Sequence, residues 1–186
     1  MRRWLAVFLL LLIPAAMRAT TLLPMYMDDL TAASQTVAYG TVIASRVEWD
    51  QGRNWIYTIY TIQPAQYLKG QLGTAFEVRE PGGELDGIAM VVAGVPHFEV
   101  GQEAVLFVWT DPTGHHQISG FEQGAVPIET DAATGSKTAR RAMALGSASA
   151  AGAVASDPSA SFRSLPQLLD QIRASVAKNS VPPSKE

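Results

Sequence analysis

The sequence of 186 residues contains no cysteine. This absence excludes disulfide bridges, a thiolate nucleophile and a cysteine-ligated metal site. It also excludes a lipoprotein anchor, because lipid attachment needs a cysteine directly after the signal segment. The fold must therefore be stabilised by burial alone, and a chain of this length can bury a core unaided.

Familiar catalytic signatures are also missing. Neither Gly-x-Ser-x-Gly nor His-Glu-x-x-His occurs in the sequence. The stretch Gly135-Ser136-Lys137-Thr138 resembles the end of a phosphate-binding loop, but a serine separates its glycine from its lysine. The three histidines are His97, His115 and His116, and the adjacent pair would point to opposite faces of a strand. We therefore expect no metal, no cofactor and no enzymatic activity.

The segment from Met1 to about Ala19 (residues 1–19) has the three parts of a cleavable secretory signal. Two arginines form its positive region. Trp4 to Ile13 is an apolar run, too short for the roughly 20 residues that a membrane span needs. We predict a periplasmic or secreted protein with no stable membrane anchor after cleavage. A buried N-terminal helix and an uncleaved anchor helix are the alternatives.

Removal of the signal makes the remaining chain acidic. The loss of Arg2, Arg3 and Arg18 lowers Lys+Arg from 14 to 11 against 17 Asp+Glu, so the net charge changes from −3 to −6. Scattered basic residues in an acidic domain provide no electrostatic footprint for nucleic acid. A basic membrane-binding face is disfavoured for the same reason.

Short strands dominate the pattern from Thr36 to about Glu129. Val37 to Val47 alternate with period two, Asp50 to Asn54 form a turn cluster, and Trp55 to Ile62 read as the returning strand. Strands so closely spaced, with no intervening helices, exclude a parallel α/β sheet. We predict a mainly β fold, a small antiparallel OB-like β-barrel, because closure protects apolar strand edges.

Helical and low-complexity segments flank the predicted barrel domain, residues 20–130. A short helix is expected at Met27 to Ala33, and an Ala/Ser/Gly-rich linker at residues 131–163. A C-terminal helix is expected over residues 164–178, followed by a disordered tail at residues 179–186. One apolar stripe predicts that this helix packs on its own barrel rather than on a partner; the stripe comprises Leu165, Leu168, Leu169, Ile172 and Val176.

The order of these pieces resembles a known module. Val37-Ala38-Tyr39-Gly40-Thr41-Val42 leads through the hairpin to Tyr57-Thr58-Ile59-Tyr60 and then to Tyr67-Leu68-Lys69-Gly70. Val100-Gly101-Gln102-Glu103 and the apolar run Ala104 to Val108 follow. This order is similar to the N-terminal OB-type barrel of netrin-like modules, the group that includes tissue inhibitors of metalloproteinases. It also resembles exported bacterial sequences without an assigned activity.

The resemblance covers Met27 to Phe107 and implies a barrel. The inhibitors in that group act through an N-terminal cysteine that chelates the protease zinc, and disulfides hold them together. Because this sequence has no cysteine, neither the inhibitory residues nor the cross-links carry over.

Side chains fill the interior of a small barrel, so its binding residues are expected on the loops at its ends. We define the rim as three such loops: Trp49 to Trp55, Pro81 to Asp86, and Gly94 to Phe98. From these loops we predict that the protein is an exported binding module, and that the rim binds a protein or a polysaccharide outside the cytoplasm. Its candidate binding residues are Trp49, Asp50, Arg53, Trp55, Glu84, Asp86, His97 and Phe98.

Two other functions remain open. The protein could be a structural envelope protein without a ligand. It could also be a hydrolase that uses the carboxylates of Glu48 and Asp50, which are spaced to share one face near two tryptophans. The tryptophans themselves fit either cross-strand stabilisation of the hairpin or ligand contact.

Overall fold

A computed structural model describes residues 23–139 and 163–179. The predicted signal, most of the predicted linker and all but the first residue of the predicted tail lie outside these ranges.

The described chain is made of strands framed by two helices. In chain order the elements are α1 (Met27–Ala33), β1 (Thr36–Trp49), β2 (Ile56–Lys69), β3 (Phe76–Pro81), β4 (Gly83–Leu85), β5 (Ile88–Met90), β6 (Glu103–Thr110), β7 (His116–Ile118), a 3-10 turn (Phe121–Gly124), β8 (Ala125–Thr130), β9 (Lys137–Ala139), β10 (Arg163–Ser164) and α2 (Leu165–Asn179).

One large antiparallel sheet has the strand order β10-β9-β8-β6-β1-β2-β3, with β7 also paired to β6. Strands β4 and β5 form a separate hairpin. The predicted mainly β fold with a short N-terminal helix and a C-terminal helix is therefore confirmed. A closed barrel is not found among the described strands: the hydrogen-bonded order ends at β3, although β3 contacts β7.

The long strand β1 separates two cores because successive side chains point to opposite faces. Both helices pack on one face, and this core includes Leu30, Val37, Val105, Phe107, Val126, Leu165, Leu168, Leu169 and Ile172. The opposite face carries the second core, which includes Ala38, Val42, Tyr60, Ile62, Phe76, Val78, Phe98, Leu106, Val108 and Ile118. The predicted packing of the C-terminal helix on its own sheet is thus confirmed.

Glycine at position 40 allows β2 to approach β1. A Cβ atom at Gly40 would lie 2.5 Å from the backbone oxygen of Gln63, closer than two such atoms can come. The register between the two strands shifts at this point, between Tyr39 and Gly40. Such an irregularity bends a long strand and increases its twist, which lets β1 pair with β2 along its length and with β6 along its first half.

The prediction of a linker over residues 131–163 is wrong at both of its ends, where the structure has short strands. Lys137–Ala139 pairs with β8, and Arg163–Ser164 pairs with β9. Within the loop before β9, Asp131 Oδ1 accepts hydrogen bonds from the backbone N–H groups of Ala133 and Thr134. Composition did not indicate this order because it comes from strand pairing, with the adjacent β8 for Lys137–Ala139 and with β9 for Arg163–Ser164. Helix α2 begins and ends one residue later than expected.

Candidate functional site

The tip of the β1–β2 hairpin is built around Asp50. Its Oδ1 atom accepts hydrogen bonds from the backbone N–H groups of Asn54 at 2.6 Å and Trp55 at 3.2 Å. Its own N–H donates to the Trp55 carbonyl at 2.8 Å. Asp50, predicted as a binding residue, therefore serves the turn, while the other candidate hydrolase carboxylate, Glu48, pairs with Arg46 at 3.5 Å.

A second hairpin, β4–β5, turns at Asp86 and Gly87. Both residues have positive φ, 54° and 76°, as a two-residue type I′ turn requires. Asp-Gly is a preferred pair for that turn, because glycine adopts positive φ without strain and aspartate tolerates it. The local sequence thus projects the Asp86 carboxylate from a hairpin tip.

Asp86 joins the two hairpin tips. Its Oδ2 accepts a hydrogen bond from the indole Nε1 of Trp49 at 3.0 Å and another from the guanidinium of Arg53 at 2.8 Å. The Arg53 guanidinium carbon also lies 5.4 Å from the centroid of the Trp49 ring. Three of the predicted site residues are therefore brought together by two loops that are distant in sequence.

A pocket of about 340 Å³ opens beside this junction. We call it the rim pocket, because residues of the second and third rim loops line it, including Glu84 and His97. Its wall is mainly apolar and comprises Pro81, Ala89, Met90, Val91, Val92, Val95 and Pro96. Pockets with an apolar wall and few polar groups are typical of ligand sites.

Tyr60 supplies the polar end of the rim pocket together with His97. The Tyr60 hydroxyl and His97 Nδ1 are 3.1 Å apart and share a hydrogen bond. Burial raises the pKa of the Tyr60 phenol above its ordinary value, so the group remains neutral at physiological pH. Sequence reasoning did not assign Tyr60 to the site, although Tyr60 lies within the strand predicted from Trp55 to Ile62.

Phe98, predicted as a binding residue, is buried rather than exposed at the rim. Only 4% of it is exposed, and its ring packs edge-on against Tyr60 with the centroids 5.0 Å apart. It belongs to the second core. The rim loop from Gly94 to Phe98 therefore alternates between a core anchor and the solvent-facing His97, as an extended segment does.

Three large apolar side chains lie exposed on the two hairpins and the segment after β5. Trp55 is 48% exposed, Ile88 51% and Val91 91%. Val91 also lines the rim pocket. Single exposed apolar residues are ordinary, but a group beside an apolar pocket is typical of an interaction surface.

Two absences are found within residues 23–139 and 163–179. No group of three or more His, Asp or Glu side chains there is placed to hold a metal ion. In the same ranges no helix is long and apolar enough to cross a membrane. The site offers an apolar wall, a neutral phenol, an imidazole and the Glu84 carboxylate.

Comparisons with known proteins add no family to this description. No protein-family model matches the chain, and neither the curated proteins nor the solved structures contain a significant match. The resemblance to netrin-like modules stays a prediction.

Proposed function

We propose that the protein is an exported, non-catalytic binding module whose rim engages a partner protein outside the cytoplasm. The observation that carries this proposal is the rim pocket, an apolar cleft of about 340 Å³ with Tyr60 and His97 at its polar end. The exposed Val91 at its wall provides apolar surface for contact.

The lining favours a protein over a polysaccharide. Buried apolar area supplies most of the binding free energy at protein interfaces, on the order of 25 cal/mol per Å² before the costs of association. Sugar rings instead require many polar partners, and the rim pocket offers few. A partner side chain of aliphatic or aromatic type fits the apolar wall, with one polar atom placed to reach the Tyr60 hydroxyl.

A non-catalytic role is favoured by how the candidate carboxylates are used. Asp50 accepts two backbone hydrogen bonds in its turn, and Glu48 pairs with Arg46. If the hydrolase alternative were correct, purified protein would turn over glycoside, ester or peptide substrates. Glu48→Gln or Asp50→Asn would then abolish that turnover, and such a result would overturn the proposal.

Export can be tested separately from binding. We expect the native protein to be recovered outside the cytoplasm, with Thr20 as its first residue, in mass spectrometry of the purified chain. Recovery of an intact Met1 in the cytoplasmic fraction would contradict export.

Partner capture from the exported fraction tests the rim. The bait is the full protein, compared with Val91→Asp, which places a charge on the pocket wall without disturbing the core. Ala174→Asp is the matched control, because Ala174 is an exposed position of α2. We expect the control to recover as much partner protein as the wild-type bait does. Val91→Asp should recover at least tenfold less. Equal recovery by both variants would refute the rim, and no recovery by any bait would favour a structural envelope protein.

A further inference from the structure

A second cleft, of about 450 Å³, lies on the sheet away from the rim loops. We call it the Arg79 groove. Its polar lining comprises Arg46, Glu48, Glu77, Arg79, His115 and His116. Strands β1, β2, β3 and β7 contribute to it, and the turn between β6 and β7 adds Gly114 and His115.

Strand register explains why two arginines meet in this groove. Arg46 on β1 lies opposite Ile59 on β2, and Ile59 lies opposite Arg79 on β3. Residues directly opposite each other in antiparallel strands share one face of the sheet. Ile59 is only 3% exposed, so the two arginines flank a covered apolar floor. The period of two places Glu77 on the same face as Arg79.

The two arginines differ in their partners. Arg46 donates two hydrogen bonds to the carboxylate of Glu77, at 2.5 and 2.8 Å, and lies 3.5 Å from Glu48. Arg79, in contrast, has no carboxylate partner and no hydrogen bond among the described residues. Its charge is the uncompensated one in the groove.

Arg79 is nevertheless held in place. Its guanidinium carbon lies 3.7 Å from the centroid of the Tyr57 ring, a close cation–π contact. Its Nε atom is buried without a hydrogen-bond partner. This buried Nε lies out of reach of a ligand, but the two terminal Nη groups of Arg79 also have no hydrogen bond among the described residues. The guanidinium is therefore fixed on the Tyr57 ring with free terminal donors, which preorganises it for an anion.

We propose that the Arg79 groove binds a carboxylated sugar, a hexuronate unit of an acidic saccharide, with Arg79 holding the carboxylate. Guanidinium donors match the two oxygens of a carboxylate in a planar, bidentate arrangement. This site is separate from the rim and does not depend on the rim's partner.

The other groups of the groove select a sugar rather than an acidic peptide. Glu48 and Glu77 are half-exposed hydrogen-bond acceptors, and His115 and His116 add ring nitrogens. Sugar hydroxyls both donate and accept hydrogen bonds, so they suit this mixed set. An acidic peptide carries no ring hydroxyls, so it would leave the acceptors Glu48 and Glu77 with fewer hydrogen-bond donors.

Titration calorimetry with the full protein tests the assignment. The probes are an oligogalacturonate, the matching neutral galactose oligosaccharide, a Glu-rich peptide and inorganic phosphate. We expect the oligogalacturonate alone to bind, with amide chemical-shift changes at His115 and His116. Arg79→Gln should weaken this binding at least tenfold. Arg79→Lys, which keeps the charge but not the fork of donors, should weaken it as well and guards against a failure of Arg79→Gln to fold.

The control variant is Arg173→Gln, which removes an exposed arginine of α2 that is paired with Asp170 and should leave the oligogalacturonate affinity unchanged. The proposal is overturned if the wild-type protein does not bind the oligogalacturonate, or if both Arg79 variants bind it as tightly as wild type. Tighter binding of the acidic peptide, the neutral sugar or phosphate would also overturn it. We expect the Arg79 variants still to capture the rim's protein partner. Each of the two proposed sites can therefore be refuted without refuting the other.

Discussion

The side chain of Glu80 on β3 accepts a hydrogen bond from the backbone N–H of Ile118 on β7, at 2.7 Å. These two strands contact each other where the hydrogen-bonded order of the sheet ends. A carboxylate thus takes the place of a backbone carbonyl in joining them. Glu80 is only 4% exposed, and it shares its face with the core residues Phe76 and Val78.

Burial raises the pKa of Glu80 from 4.5 to about 7. Because the folded-state pKa is the higher one, the folded protein holds this proton more tightly than the unfolded chain does. Its contribution to stability is complete below about pH 4.5 and is lost as the pH rises through 7. The difference corresponds to about 3 kcal/mol of unfolding free energy.

Glu80→Gln should remove this pH dependence, since the amide oxygen can still accept from Ile118 and carries no charge. We expect the variant and wild type to have similar unfolding free energies at pH 4.5. The variant should be more stable by up to about 3 kcal/mol at pH 8. Urea denaturation at both pH values measures this.

Glu77→Gln is the matched control for that measurement. Glu77 is exposed, and its hydrogen bond with Arg46 lowers its pKa, so its contribution is lost on acidification instead. The control should retain the wild-type decline between pH 4.5 and 8. A Glu80→Gln variant that differs from wild type by the same free energy at both pH values would contradict the assignment.

Asp86→Ala should free the two hairpin tips from each other. The Arg53–Asp86 pair is largely exposed, and such pairs contribute about 0.2–1 kcal/mol. Alanine at the positive φ of position 86 adds strain of about 1 kcal/mol, so we expect a loss of stability of up to about 2 kcal/mol. The indole N–H of Trp49 should exchange with solvent faster, which NMR of that proton can record. Glu84→Ala, in the same hairpin, should leave the exchange unchanged; equal effects of both variants would contradict the contact.

Phe98→Ala and Trp55→Ala separate the core residue of the rim from the exposed one. Truncation of a buried phenylalanine costs about 3–5 kcal/mol, whereas surface substitutions usually change stability by about 0.5 kcal/mol or less. Chemical denaturation of the two variants should therefore differ by several kcal/mol. Similar stabilities would show that Phe98 does not anchor the loop.

Local patterns predicted the regular elements well. The short helix from Met27 to Ala33 has the bounds expected from the sequence, and the apolar run from Ala104 to Val108 lies within strand β6. Both are determined by local signals, namely continuous apolar residues and helix-favouring termini. A glycine at position 40 is explained by the close approach of the Gln63 backbone.

The features that sequence reasoning missed are strand pairings and side-chain contacts that only the folded chain shows. The strand Lys137–Ala139 exists because β8 pairs with it and because Lys137 forms an ion pair with Glu103 at 2.7 Å. Composition does not report such pairing. The Asp86-Gly87 turn could be predicted from the sequence, but the hydrogen bonds of Asp86 to Trp49 and Arg53 could not. Alternation with Phe76 and Val78 could have placed Glu80 in the core.

Site-specific photocrosslinking tests most directly whether the rim pocket receives a partner protein. A photoreactive residue replaces Val91, 91% exposed at the pocket wall, or Ala174 on the exposed face of α2 as the control. Irradiation in the exported fraction should produce a covalent adduct with one partner protein from position 91 and none from position 174. An adduct from position 174 alone, or equal adducts from both positions, would contradict the proposed binding surface.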